Sequence, residues 1–443
     1  MSFNAIILAA GQGKRMHSDL PKVCHEVMGR PMVLHVYHQL KKADPSASIC
    51  VVIGHGREEV KKCFKGLDVS FAVQEQQLGT GHAVQQALNS PWGGKIGKAP
   101  VLVLSGDTPL ITSEAIQAIA GEKLGKTVVR MLTTHLDNPT GYGRVIRKGK
   151  SVKAVVEQKD ASPAQQKIRE VNTGVYLFDS AFLRANINLI NNRNSQSEFY
   201  LPDVLGIAVK KQKPVEGVIY SESRDLSGVN NPWELSLANQ VMAGRINRGH
   251  AMNGVFFIDP GEVWIDIDVE IASGTKIEPN VILRGKTVIG SRVHLKAGTI
   301  IADSRVDSDA SLGPYAHIRP ESHVGKGAKI GNFVELKKAR IGEKTAISHL
   351  SYIGDAIVGS LVNIGCGFVT CNYDGKSKHQ TIIEDEVFMG SDCQVIAPLK
   401  VGLGAYVASG STLTKDVPAG SLAIARTRQE NKLDYAKKFK KGS

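Results

Sequence analysis

The chain has few cysteines, few aromatics and no long apolar run, and each shortage excludes a class of protein. Its six cysteines (Cys24, Cys50, Cys63, Cys366, Cys371, Cys393) make no CxxC pair and no disulfide framework. A reducing, cytoplasmic compartment is the expectation. Aromatic residues are only 6%, and no stretch interleaves them with basic residues as a single-strand platform does, so the net charge of +13 does not argue for nucleic acid. No apolar segment approaches the ~18 residues of a membrane helix, so no membrane span is expected. Met1–Gly11 has no basic leader, so no signal peptide is expected either. Part of the positive excess falls near the end, at Lys432, Lys437, Lys438, Lys440 and Lys441. Such a tail is ordinarily a solvated surface. The alternative is attraction of anionic small molecules such as nucleotides, sugar phosphates or coenzyme A.

What the chain does have is a six-residue period from Ile265 to Leu413. Ile265, Ile271, Ile277, Leu283, Ile289, Leu295 and Ile301 share one phase; the phase slips by one residue and resumes as Val306, Leu312, Ile318, Val324, Ile330 and Leu336. It slips again to Ile341, Ile347 and Ile353, and returns after an irregular stretch as Ile383, Met389, Val395, Val401, Val407 and Leu413. Small or β-branched residues recur four positions later (Val269, Thr275, Val281, Thr287, Val293), on the same face of extended chain. A helix needs a period near 3.6 and a simple amphipathic strand a period of two. Six is the period of a parallel β-helix, whose coils must stack to bury their inward aliphatics.

The first ~230 residues follow a different pattern. Apolar runs Ala5–Ala10, Ile49–Ile53, Val69–Val73 and Val101–Leu104 alternate with helical segments such as Pro31–Ala43 and Gly81–Leu88, which predicts a three-layer α/β unit. Gly143–Gln158 reads as a hairpin with arms Arg144–Arg147 and Val152–Val156. Asn231-Pro232-Trp233-Glu234 supplies an N-cap, a first-turn proline and an acid three residues past the cap, so a connecting helix is expected from there to about Gly249. The expected domains are therefore 1–230, a linker helix at 231–251, and 252–443, with a loosely packed tail after Leu422.

In the first domain, strand Ala5–Ala10 runs into Gly11-Gln12-Gly13-Lys14-Arg15-Met16, and Pro21-Lys22 follows. Glycines at a strand end let backbone approach a phosphate, and Arg15 and Lys22 add fixed positive charge. The run is not a dinucleotide fingerprint, because Met16 takes the place of the third glycine. Nor is there a phosphate-binding GxxxxGK[ST] loop: Gly285-Lys286-Thr287 and Gly375-Lys376-Ser377 have Asn280 and Thr370 where the earlier glycine belongs. Taken alone, the glycine-rich turn is equally well a structural turn.

The wider constellation resembles the sugar-phosphate nucleotidyltransferases. It comprises Leu8-Ala9-Ala10-Gly11-x-Gly13-x-Arg15-Met16 with Pro21-Lys22, Gln74, Gly79-Thr80-Gly81 and Ser105-Gly106-Asp107-Thr108-Pro109-Leu110. Gly141-Tyr142-Gly143, Glu157, Asn172-Thr173-Gly174 and Val229-Asn230-Asn231 follow in the family's order. Joined to hexapeptide repeats, the set resembles the bacterial bifunctional N-acetylglucosamine-1-phosphate uridylyltransferases/glucosamine-1-phosphate N-acetyltransferases over about residues 3 to 430. The resemblance implies a Rossmann-like α/β nucleotidyltransferase domain with a mostly parallel sheet, followed by a left-handed parallel β-helix. It implies that Leu8, Ala9, Gly11, Gln74, Gly79, Thr80, Ser105 and Gly106 hold UTP, and that Gly143, Glu157 and Asn172 position the sugar. Asp107 and Asn230 would ligate Mg²⁺, being oxygen donors suited to a hard cation. Lys22 and Arg15 are assigned to stabilising the departing pyrophosphate. Asp107 could instead cap the helix after Thr112. Ser105 stands where many relatives carry Tyr.

In the second half the hexad rhythm fails between Gly354 and Gln380, where polar and reactive residues gather. The resemblance implies that Arg319, Lys337, Tyr352, Asn363 and Lys378 bind the sugar phosphate, and that His349 accepts the proton of the amine attacking acetyl-CoA. Cys366, Asn372, Tyr373, Ser391, Ser409 and Arg426 would contact acetyl-CoA; Cys366 departs from the alanine common there. A lone histidine is otherwise more often a structural hydrogen bonder. His294, His317, His323 and His349 lack the close ligand pair of zinc-binding β-helix enzymes, so no zinc is expected. The resemblance further implies a homotrimer through the β-helix, with the acetyl-transfer site between subunits. Two rivals remain: a single-function nucleotidyltransferase whose β-helix only regulates or oligomerises, and a non-enzymatic scaffold subunit built on the same two folds.

Overall fold

The computed structural model describes residues 2–149 and 151–439. The chain condenses into two units that part between Met242 and Ala243.

The strands of the first unit are β1 (Asn4–Ala9), β2 (Glu26–Val27), β3 (Arg30–Pro31), β4 (Ser48–Ile53), β5 (Ser70–Val73), β6 (Val101–Ser105), β7 (Val129–His135), β8 (Arg144–Lys148), β9 (Ser151–Val156), β10 (Glu170–Phe178) and β11 (Val215–Ile219). Its helices are α1 (Met32–Ala43), α2 (Arg57–Cys63), α3 (Thr80–Asn89), α4 (Ser113–Ala120), α5 (Pro163–Gln166), α6 (Ser180–Asn186), α7 (Asp203–Lys210) and α8 (Pro232–Met252), the last running on into the second unit. The main sheet has the order β11-β7-β10-β6-β1-β4-β5. β1 lies parallel to both β4 and β6, whereas β10 is antiparallel to both β6 and β7. Alternate residues feed two cores. Ile6, Val52 and Val103 pack with α3, α6 and α7, while Ile7, Val51 and Leu104 pack with α1 and α4. Both faces are covered, which is why these strands read as unbroken apolar runs.

The expected hairpin is β8–β9, held by antiparallel pairing from Arg144↔Val156 to Lys148↔Ser151. At the start of α8, Asn231 Oδ1 accepts from the Glu234 amide at 2.9 Å, and the Glu234 carboxylate accepts from the Asn230 amide at 2.7 Å. This reciprocal cap starts the helix where the sequence placed it, and the helix runs three residues beyond Gly249. Among the described residues no helix is long and apolar enough to cross a membrane.

Among the described residues the second unit winds into three parallel sheets of ten, nine and eight short strands, each strand pairing with the third one after it until the last pairing, where Tyr406–Val407 meets the second. This is the parallel β-helix expected from the hexads. One column runs Ile277, Leu295, Leu312, Ile330, Ile347, Ile364, Met389, Val407, all inward and closely buried. The buried hydroxyls of Thr275 and Thr345 are satisfied locally: Thr275 Oγ1 donates to Gly290 O at 2.8 Å and Thr345 Oγ1 to Gly359 O at 2.6 Å. Unpaired, each would carry a desolvation cost of roughly 1–3 kcal/mol.

The structure corrects the extent of the irregular stretch. Val358, Ile364 and Thr370 keep the hexad spacing and are 2%, 2% and 1% exposed. The rhythm merely slips by one residue after Ile353. Thr370 is inward although polar because its Oγ1 bonds the backbone of Gly354. The true interruption is the loop at 372–380, after which Val358 pairs with Ile383 across twenty-five residues, where the next coil, Ile383 to Val401, takes eighteen. At the other end, Leu422–Ala423 adds one further strand on Tyr406–Val407, and the described residues beyond it are almost all exposed.

Candidate functional sites

The first site sits at the carboxyl ends of β1 and β6, where open α/β sheets bind their ligands. Gly106 N donates to Leu8 O at 2.9 Å and so ties the two strand ends together. Asp107 follows directly. Its carbonyl accepts from Val229 N at 2.9 Å, which brings Asn230 beside it from far along the chain. Lys22 Nζ makes an ion pair with Asp107 Oδ2 and lies 3.3 Å from Asn230 Oδ1, which Arg15 also reaches at 2.9 Å. Four of the expected residues thus form one polar cluster. α4 is capped by Thr112, whose Oγ1 accepts from Ala115 N at 3.2 Å, so Asp107 is not its cap. The Asp107 carboxylate and Asn230 amide oxygen converge on one cation, Lys22, and hard oxygen donors of this kind suit Mg²⁺ completed by substrate phosphates.

A cleft of about 250 Å³ opens beside this cluster, lined among others by Leu8, Ala9, Gly11, Lys22, Gln74, Gly79, Thr80, Ser105 and Asp107. Gln74 Nε2 donates to Gly79 O at 3.0 Å and approaches His82 Nδ1 at 3.1 Å, which fixes the amide on the cleft wall. Gly79 has φ +107, and a Cβ there would meet the Phe199 backbone within 3.0 Å, so no side chain is tolerated. Glu198, from the same distant segment, also lines the cleft. Sequence reasoning missed it because no motif surrounds it.

Gly143, Glu157 and Asn172 also come together. Asn172 N donates to Gly143 O at 2.9 Å, and a Cβ on Gly143 would lie 3.0 Å from Glu157 Oε1. Burial, and after it the nearby Asp160 and Asp203 carboxylates, push the Glu157 carboxyl above its ordinary value. Arg144, 1% exposed, holds this loop from beneath, donating to Tyr142 O, to Gln158 Oε1 at 2.7 Å and to Gln166 O at 3.3 Å. It read in the sequence only as a hairpin arm.

On the β-helix the expected residues fall into two groups on successive corners. In the first, His349 ends strand Ala346–His349 and stands directly over Asn332 of the preceding coil. Its Nδ1 lies 2.6 Å from Asn332 Oδ1. An amide oxygen can only accept, so Nδ1 carries the proton and Nε2 is left as the basic nitrogen. Asn332 was missed; its signal is its place one coil, seventeen residues, before the histidine. Further along this edge Cys366 O accepts from Asp392 N at 2.7 Å, and Ser391 O from Gly410 N at 2.9 Å. A Cβ on Gly390 would touch Ser409, and one on Gly410 would lie 3.8 Å from Arg426. Cys366, Ser391, Ser409 and Arg426 therefore form one stacked column. Asn363 begins the next strand of the His349 sheet, paired with Ala346.

The second group is cationic. Arg319 donates to Glu335 Oε1 at 2.8 Å, and Glu335 is the sheet neighbour of Tyr352. The Lys378 ammonium, by direct contact and by its charge, together with desolvation and Arg319, holds Lys337 below the ordinary lysine value. Asn372 Nδ2 donates to Asp355 Oδ2 at 2.5 Å, and Tyr373 projects from the surface with its hydroxyl on Gly375 O at 2.6 Å. Asp374 braces the loop by accepting from Ser377 N at 2.6 Å, Lys376 N at 2.7 Å and His379 Nε2 at 2.7 Å. Those bonds, the Ser377 amide first, hold its carboxyl well below the usual range.

A phosphate-directed cleft on an α/β sheet, carried on the same chain as a hexapeptide β-helix, defines a nucleotidyltransferase with an appended β-helix. A domain model for MobA-like NTP transferases matches residues 5–167. At full length the chain is 46% identical over 459 positions to the bifunctional protein GlmU of Listeria welshimeri, covering 99% of both proteins. It is 45% identical over 455 positions to the GlmU of Trichlorobacter lovleyi, covering 98% of both, and 45% identical over 452 to that of an Exiguobacterium species, covering 98% of this chain and 99% of the relative. The chain belongs to the bifunctional GlmU family.

Proposed function

We propose that this enzyme makes UDP-N-acetylglucosamine in two steps, acetylating glucosamine-1-phosphate with acetyl-CoA on the β-helix and then coupling the product to UTP in the α/β unit. The observation that carries the reading is the presence of both polar clusters on one chain whose full length matches the bifunctional family.

For acetyl transfer, the 2-amino nitrogen attacks the thioester carbonyl, the C–S bond breaks, and coenzyme A leaves as the thiol once its sulfur receives from His349 the proton lost by the nitrogen. His349 Nε2 takes the ammonium proton, help worth roughly 10²–10⁴-fold. Asn332 holds the ring in the tautomer that leaves Nε2 free. Arg319, Lys337 and Lys378 supply the charge that binds the sugar's phosphate, with Tyr352 and Asn363 as hydrogen-bonding partners. The column of Cys366, Ser391, Ser409 and Arg426, together with Asn372 and Tyr373, receives acetyl-CoA. Cys366 need not carry the acyl group, because direct transfer requires no covalent intermediate. The two groups occupy successive corners of one coil stack, an arrangement that supports a site completed by a second copy of the chain and hence a homotrimer.

For uridylyl transfer, a phosphate oxygen of the sugar phosphate attacks the α-phosphorus of UTP and pyrophosphate departs opposite it. Leu8, Ala9, Gly11, Gln74, Gly79, Thr80, Ser105 and Gly106 bind the nucleotide. Gly143, Glu157 and Asn172 orient the sugar, and Lys22 and Arg15 stabilise the leaving charge. Asp107 and Asn230 would hold Mg²⁺, which when bound supplies Lewis-acid stabilisation of the phosphates. Six free thiols suit a reducing, cytoplasmic setting. The test is to assay the two reactions separately in His349→Ala and Asp107→Ala. Each substitution abolishes its own reaction and spares the other; loss of both, or of neither, refutes the assignments.

A further inference from the structure

Two cysteines outside both sites lie against each other. Cys24 ends the short turn Lys22–Cys24, and Cys63 is the last residue of α2; their sulfurs are 3.7 Å apart. α2 grips that turn at both ends. At its start, Gly56 leaves room for Pro21, which any Cβ there would strike. At its finish stands Cys63. The turn so held carries Lys22, two residues before Cys24, and Lys22 reaches Asp107 and Asn230. Cys24 is 5% exposed, whereas Cys63 is only half-buried and open to small oxidants.

We propose that Cys24 and Cys63 are a redox-sensitive dithiol, which a peroxide converts to a disulfide that slows nucleotidyl transfer by displacing Lys22. The Cys63 thiolate attacks the peroxide O–O bond, taking one oxygen as a sulfenic acid and releasing the other as water once protonated. The Cys24 thiol then attacks that sulfur; the S–S bond forms, the S–O bond breaks, and a second water leaves with the Cys24 proton. Two thiols and one hydrogen peroxide become one disulfide and two waters, two electrons passing from sulfur to oxygen. The hydrogen bond between the two sulfurs holds the Cys63 thiol below its ordinary value and pushes Cys24 up, which suits Cys63 as the attacking sulfur. By contrast Cys50 is sealed in the core, and burial pushes it up to about 12. A disulfide spans about 2.05 Å, so the sulfurs must close by roughly 1.7 Å, and the turn bearing Lys22 moves with them. Displacements near 1 Å at a reacting centre cost up to ~10²-fold in rate.

The consequence for rate rests on the proposed uridylyl transfer; the chemistry of the pair does not. The full-length protein is exposed to hydrogen peroxide, alkylated and digested, and both activities are followed. The expected result is a Cys24–Cys63 cross-linked peptide lighter by two hydrogens, and uridylyl transfer slowed at least ~10-fold with acetyl transfer unchanged. Dithiothreitol restores the rate, and Cys63→Ser, or Cys24→Ala if the first folds poorly, keeps full uridylyl activity in peroxide. Absence of the cross-linked peptide overturns the dithiol. A cross-link that leaves the rate unchanged, or equal inhibition of Cys63→Ser, overturns the link to Lys22. A reduced protein that cross-links normally but has no uridylyl activity refutes the proposed function and leaves the dithiol standing.

Discussion

Replacing Asn332 with leucine removes the acceptor that holds His349 Nδ1 at 2.6 Å. The ring is then free to flip and to carry its proton on either nitrogen. The hydrogen bond matters most when the ring becomes charged, because the imidazolium formed on taking the amine proton donates through Nδ1. Hydrogen bonds to charged groups are worth about 1.5–3 kcal/mol, which converts to a fall of roughly 10- to 100-fold in kcat for acetyl transfer. That lies below the ~10²–10⁴-fold supplied by the base itself, so Asn332→Leu should retain more activity than His349→Ala. Thiol release from acetyl-CoA gives kcat and KM at varied glucosamine-1-phosphate. KM should stay within about twofold, since an interaction made mainly in the transition state leaves ground-state binding alone. Asn332→Asp keeps an acceptor and should recover most of the rate, and pyrophosphate release in the other reaction should not change. A leucine variant within about twofold of the parent, or one that loses both reactions, refutes this role.

Three further outcomes are expected. Burial raises the Glu157 carboxyl, so the native state keeps a proton that the unfolded chain has released, and stability falls as pH climbs from the ordinary glutamate value to the raised one. The melting-temperature gain of Glu157→Gln over the parent should therefore grow from acid to neutral pH; a constant gain refutes the cause. Asp374→Ala frees the loop bearing Lys378 and should raise KM for the sugar phosphate about 3- to 10-fold with a smaller effect on kcat, as steady-state kinetics would show. Leu336→Ala, at a fully buried inward position, should cost roughly 3 kcal/mol in urea unfolding with an unchanged denaturant slope.

The β-helix was readable because inwardness in a coil is a one-dimensional property. Ile330 or Leu336 declares itself by spacing alone. The reading overstated the break at Gly354 because Thr370 is polar, and only the backbone partners given by the fold show why it turns inward. The direction of β10 was not readable, since hydropathy does not distinguish a parallel from an antiparallel neighbour. In the α/β site, glycines and charges at strand ends announced Gly11, Lys22 and Asp107. Glu198 and the grip of Arg144 on its loop depend on which distant segments meet, and no local pattern encodes that. The same holds for Asn332 under His349 and for Cys24 against Cys63, thirty-nine residues apart.

The loop at 372–380 closes on itself: Tyr373 bridges Lys378, and His379 N returns to Asn372 O at 2.8 Å. The coil beyond it resumes the register it left, with Ile364 over Met389 and Val395 beside Thr370. The stack therefore never measures how much chain lies outside a corner. A solenoid of this kind separates the length of its chain from the height of its column. Chemistry can be added, exchanged or trimmed at one corner while each coil above and below keeps its neighbours.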